Sequence, residues 1–161
     1  MVKHLERQGN IRKVAELTGE FQNNLDIKGR LIVPSKLKED LGDKFMITKG
    51  IEKCLYVYPM DSWNVMKETR ESLDFFDPAA RKFERYFFGS AEPCEVDKQG
   101  RAQIPLTLRK FAGIEKEVYT IGTGTKLEIW SKDEYESYMN ENYDPQSLSK
   151  EFSGLGVGKK L

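Results

Sequence analysis

Apolar and polar positions along this chain alternate between two rhythms. An extended segment at residues 21–25 leads into a turn at Lys28-Gly29, where glycine accepts a positive φ without steric cost. A second short strand is predicted at 31–33. Pro34 closes it and starts a short helix, with Leu37 and Leu41 at helical spacing and Gly42 ending it. Two further strands are expected around 45–48 and 54–58, followed by a helix capped by Asp61 with Trp63 and Met66 facing inward. The same succession then recurs. Strands are predicted at 94–96 and 102–104 around a turn at Gln99-Gly100. A helix begun by Pro105 carries Leu108 and Ala112 and ends at Gly113. Strands at 118–121 and 126–130 precede a helix capped within 131–133, with Tyr135 and Met139 inward.

The recurrence is visible in the residues themselves. The run Asp26-Ile-Lys-Gly29-Arg30-Leu-Ile-Val-Pro34 aligns with Asp97-Lys-Gln-Gly100-Arg101-Ala-Gln-Ile-Pro105, an offset of 71 that also pairs Leu37 with Leu108 and Gly42 with Gly113. Leu55, Val57, Tyr58, Asp61 and Trp63 align with Leu127, Ile129, Trp130, Asp133 and Tyr135 at an offset of 72. Two matching stretches in one order define a duplicated module. Between the copies, Asp77-Pro78 reads as a helix start, and Phe83, Tyr86, Phe87 and Phe88 make that helix a packing element rather than a platform for bases. The expected organisation is an N-terminal extension at 1–18, a first module at 19–76, a connecting helix at 77–90, a second module at 91–144 and a tail at 145–161. Both ends are expected to be flexible, the last nine residues being rich in glycine.

Charge changes the picture only once it is mapped. The chain has 161 residues, 26 basic and 26 acidic, for a net charge of zero. Yet Lys28, Arg30, Lys36 and Lys38 face Asp26 alone over 26–38, and Lys98, Arg101, Arg109 and Lys110 face Asp97 alone over 97–110, a net of +3 in each. Residues 128–144 carry a net of −5. A neutral total therefore conceals two basic edges and one acidic stretch.

Several classes are disfavoured. His4 is the only histidine, so no Ser-His-Asp or Cys-His arrangement can be assembled. Gly122-Thr-Gly124 lacks the ending of a phosphate loop. Cys54 and Cys94 have no metal spacing and read as a reduced, buried pair. No apolar run reaches the roughly 18 residues of a membrane span, and the first twenty residues lack a secretory apolar stretch. The expectation is a cytoplasmic protein, not an enzyme, without cofactor or metal.

The motif Asp-x-x-Gly-Arg is what remains. Each copy is expected between two short strands, as a hairpin with an arginine at its tip. Such a ribbon fits the major groove, where arginine pairs with guanine or grips phosphate. The plainer reading is that Asp26–Arg30 and Asp97–Arg101 staple their turns. The two readings are compatible, and the surrounding lysines and arginines favour a phosphate-binding edge.

These residues resemble the MraZ regulators, of the AbrB-like swapped-hairpin superfamily. The likeness lies in Gly19-Glu-Phe21, the run from Leu25 to Pro34, Glu95 to Arg101 and Ile104 to Arg109, and covers roughly 19–145. It implies an α+β fold of tandem β-rich modules, double-psi-like with short helices. It further implies a nucleoid-associated regulator that binds direct repeats in double-stranded DNA near its own cell-division and cell-wall genes, and assembles as a homo-oligomeric ring. The motif arginine maps onto Arg30 and Arg101, supported by Asp26, Gly29, Asp97 and Gly100. The chain departs from the family in the about 18 residues before Gly19. The rival expectation is an oligomeric structural or antitoxin-like protein of the same fold that binds no promoter.

Overall fold

Strand pairing, more than the strands themselves, organises this molecule. The computed structural model describes residues 3–7, 10–157 and 160, with side chains from residue 15 onward. In chain order the elements are β1 (Lys3–Arg7), β2 (Asn10–Val14), β3 (Leu17–Asn24), β4 (Arg30–Ile32), α1 (Ser35–Leu41), β5 (Lys44–Lys49), β6 (Leu55–Pro59) and α2 (Met60–Glu71). Then come α3 (Pro78–Phe83), running into a π-helical turn (Glu84–Phe88), β7 (Glu92–Glu95), β8 (Arg101–Gln103), α4 (Leu106–Ala112), β9 (Glu117–Gly124), β10 (Leu127–Ser131), α5 (Lys132–Asn142) and α6 (Pro145–Ser153). This is the expected α+β chain of tandem β-rich modules.

The modules do not fold side by side. One antiparallel sheet runs β3-β9-β10-β6-β5-β7, and β4 pairs with β8 in a separate ribbon. Each module thus lends its first strand to the other: β3 lies on β9 and β7 on β5. Equivalent residues meet where the halves join, Tyr56 opposite Glu128 and Leu31 opposite Ala102. A pseudo-twofold axis passes through both pairs.

The expected local hairpins are therefore corrected. Asp26 N–H does reach Arg30 C=O at 3.0 Å and Gly29 N–H reaches Asp26 C=O at 2.9 Å, closing the turn. Beyond it the strands part. Leu25 N–H donates to Lys116 C=O and Val33 N–H to Gly100 C=O, while Val96 donates to Asp43 and Ile104 to Gly29. The reason is burial. A three-residue strand hides little apolar surface alone, but the two strands paired as one ribbon leave Leu31, Val33, Ala102 and Ile104 at most 4% exposed. Burying a side chain the size of Leu31, Val33 or Ile104 contributes about 1.5–3 kcal/mol.

One core serves both halves, drawing Leu37, Leu41, Phe45 and Ile47 together with Leu108, Ala112, Val118 and Ile129. A second, aromatic cluster forms where Tyr58, Trp63 and Phe87 meet. Gly42 and Gly113 end α1 and α4 as expected, although Pro34 and Pro105 stand just before these helices rather than inside them. Asp77 caps α3 and Ser131 caps α5. Asp61 lies in the first turn of α2 instead of capping it. Trp63 is buried, but α5 buries no residue, so Tyr135 and Met139 are only half-covered. Cys54 is buried, whereas Cys94 is only half-buried.

The expected extension and tail carry elements. Residues 1, 2, 8 and 9, and 158, 159 and 161, lie outside the described residues. β1 pairs antiparallel with β2, and β3 begins at Leu17, which is fully buried opposite Gly124. At the other end Asp144 accepts from Ser147 N–H and starts α6. That Asp-Pro start repeats the signal read at Asp77-Pro78. Among the described residues no helix is long and apolar enough to cross a membrane.

Candidate nucleic-acid interface

Each motif turn is pinned by its aspartate. Asp26 Oδ1 accepts from the Lys28 and Arg30 N–H groups at 3.0 and 2.9 Å, and Oδ2 accepts from Arg30 Nε at 2.6 Å. Asp97 does the same with Gln99, Arg101 and Arg101 Nε, each at 2.9 Å. The Arg30 backbone N–H, then its side chain and the Lys28 N–H, outweigh partial desolvation and hold Asp26 below the usual carboxylate range. The Arg101 and Gln99 donors act likewise on Asp97. Both carboxylates are anions at neutral pH, and the staple reading is correct as geometry. It spends Nε–H, one of five donors on each guanidinium, and both arginine side chains remain 25% exposed.

The crossed ribbon then joins the two turns. Arg101 Nη1 lies 3.9 Å from Asp26 Oδ2, an ion pair between the halves. A Cβ on Gly29 would sit 2.5 Å from Cζ of Arg109, and a Cβ on Gly100 would sit 3.0 Å from Nζ of Lys38. Each glycine is thus the floor under the other half's helix cation. Their φ values of 79° and 77° fall in the left-handed region that favours glycine. Arg109 is held there by its Nε–H bond to Ile104 C=O at 2.9 Å. Gln103 Nε2 donates to Lys28 C=O at 2.6 Å and buttresses the first turn from the second half.

Six of the eight basic residues singled out by sequence occupy the turns or cross between them: Lys28, Arg30, Lys38, Lys98, Arg101 and Arg109. Lys36 lines an open groove with Phe21, Asn23, Ile32 and Lys38. Lys110 is exposed on α4, with no contact to the ribbon among the described residues. Sequence reasoning missed Gln103, because its partner is 75 residues away and no local pattern announces it. Cation-rich and two-stranded, the ribbon can present guanidinium and ammonium groups to phosphates and base edges. Among the described residues no cluster of His, Cys, Asp or Glu could hold a metal, and burial pushes the Cys54 thiol well above its ordinary pKa, away from the thiolate.

Comparison with known proteins agrees with the duplication. The family model described as "MraZ protein, putative antitoxin-like" matches residues 17–86 and again 87–153. A protein of Acetivibrio thermocellus named transcriptional regulator MraZ is 46% identical over 140 residues, 86% of this chain and 98% of its own length. Its namesake in Clostridium beijerinckii is 45% identical over 139 residues, with the same shares of both chains. One from Desulforamulus reducens is 50% identical over 120 residues, covering 74% of this chain and 84% of its own. With both halves matched and such identity along most of each sequence, the chain belongs to the MraZ family, whose members are transcriptional regulators rather than enzymes.

Proposed function

We propose that this chain regulates transcription by binding double-stranded DNA with sequence specificity through the β4–β8 ribbon. Lys28, Arg30, Lys36, Lys38, Lys98, Arg101, Arg109 and Lys110 are the contacting residues, with Asp26, Gly29, Asp97 and Gly100 shaping the turns. The observation that carries this reading is the crossing of the halves, which sets Arg109 over Gly29 and Lys38 over Gly100. Cations at equivalent positions of the two repeat units, 71 residues apart in sequence, become one basic edge, as counterion release from DNA requires. The target is the DNA upstream of its own cell-division and cell-wall gene cluster, and the site of action is the cytoplasmic nucleoid.

Affinity comes from number. Two similar but unequal halves allow head-to-tail contacts between copies, which close into a ring when the rotation permits. A ring offers ribbons at intervals along one rim, so consecutive ribbons meet consecutive direct repeats. The acidic stretch 128–144 faces away from the DNA or meets a neighbour's basic surface. Linking weak contacts raises affinity by about 10²–10⁴. Footprinting on the upstream DNA tests the reading, with protection of spaced repeats expected. One repeat should bind poorly and two in phase tightly, and an insertion of roughly 5 base pairs should remove the gain. No retardation of that DNA at moderate salt would leave the oligomeric, antitoxin-like alternative. A monomeric mass by light scattering would exclude the ring.

A further inference from the structure

The two motif turns are built alike and tipped differently. Their aspartates hold equivalent backbone N–H groups, and their glycines share one conformation. At the residue after the aspartate, however, the first turn carries Ile27 and the second Lys98. Ile27 is fully exposed between the stapled Asp26 and the exposed Lys28. Turn tips are ordinarily Gly, Asn, Asp, Pro or Ser, and an isoleucine there contributes nothing to the core. The ribbon repeats the contrast: Ile32 is 57% exposed, and its counterpart in the second half is Gln103. In the basic edge, the first half shows apolar groups where the second shows polar ones.

Resting on the DNA-binding reading above, we infer that Ile27 is a specificity-determining residue: it enters the major groove beside Lys28 and Arg30 and meets the C5-methyl of a thymine, while Lys98 meets phosphate in the second turn. The methyl is the one apolar group on a major-groove base edge. The cations around Ile27 supply attraction without regard to sequence, so an apolar tip is left to discriminate. The turn is already held by three hydrogen bonds to Asp26 and an isoleucine is stiff at χ1, so little freedom is lost on contact.

The test uses the full-length protein and the fragment upstream of its own gene, synthesised once with thymidine and once with deoxyuridine, which lacks only that methyl. Wild type should bind the deoxyuridine fragment about five- to tenfold more weakly, the lower part of the range for a base contact. Ile27→Ser should bind both fragments equally, and Ile27→Val should keep the preference. Lys98→Ala should weaken both alike and lower the salt slope by about 1. Indifference of wild type to the methyl, or an unchanged preference in Ile27→Ser, would overturn the assignment while leaving DNA binding intact. A changed light-scattering mass in Ile27→Ser would place the side chain in a subunit contact and overturn it too. Failure to bind either fragment would instead remove the DNA-binding reading on which it rests.

Discussion

In the first half, the helix begun by Asp77-Pro78 folds back over the sheet. Phe87 is 2% exposed, stacks on Phe83 and Trp63 with centroids at 5.1 and 5.6 Å, and meets Tyr58 edge-on. Thr48 on β5 donates its hydroxyl to Phe87 C=O, and Tyr86 donates to Gly50 C=O. In the second half, the helix begun by Asp144-Pro145 has the same capped start but buries no residue. Phe152 and Leu155 stand 39% and 71% exposed. One local signal thus has two tertiary outcomes. A capping aspartate decides where a helix begins; what it packs against depends on its apolar face. Phe83, Phe87 and Phe88 offer an aromatic one, whereas α6 offers only Leu148 and Phe152 among Gln146, Ser147, Ser149 and Lys150.

The sharpest break of that symmetry is a pair of aromatic truncations. Phe87→Ala should cost about 3–5 kcal/mol in denaturant unfolding, as loss of a buried aromatic does. Phe152→Ala should stay within about 0.5 kcal/mol, as a surface change does. Equal losses would show that α6 is packed as firmly as α3.

The next comparison is between the arginines and a helix lysine. Arg30→Ala should weaken specific DNA binding by about 1–3 kcal/mol with little change in melting temperature. Lys110→Ala should weaken binding to all sequences alike and reduce the salt slope by about 1. An Arg30→Ala protein that binds normally but melts much lower would make the Asp26–Arg30 pair a staple alone.

Gly29→Ala and Gly100→Ala probe the crossed ribbon. Both place a side chain in a left-handed conformation, at about 1–2 kcal/mol. Gly29→Ala should be worse, because its Cβ would strike the Arg109 guanidinium held by Ile104, whereas Gly100→Ala meets only the free end of Lys38. Thermal unfolding ranks the two, and the reverse order would contradict the packing of Arg109 over Gly29.

The smallest effect is in acid. Asp26 and Asp97 have lowered pKa values in the folded protein. Their contribution to stability is complete above the unfolded carboxylate value of about 3.9 and is lost as pH falls through the lower folded values. Asp26→Asn should flatten the melting temperature over that acid range more than Asp97→Asn, because Asp26 also faces Arg101 across the ribbon. Identical acid profiles would mean that the cross-half pair contributes nothing.

Much of this was legible in the sequence for a physical reason. Turns, caps and short amphipathic segments are set by residues within four or five positions: Asp26 reaches the N–H groups of Lys28 and Arg30, and Gly42 and Gly113 end their helices. The repeat offset of 71 places both basic clusters without any tertiary contact. The capped start of α6 at Asp144-Pro145 is equally legible, although the glycine-rich segment after it reads as a flexible tail.

By itself, then, the sequence determined the duplicated α+β plan, the two stapled turns and the cations around them, since each rests on short-range geometry and residue chemistry. Only the tertiary structure decided that β4 pairs with β8 and β3 with β9, that Arg109 lies over Gly29 and Lys38 over Gly100, and that Gln103 supports Lys28. Two three-residue strands carry no local preference for either partner. The choice falls to the arrangement that buries Leu31, Val33, Ala102 and Ile104 in one core, and that burial exists only when both halves are present.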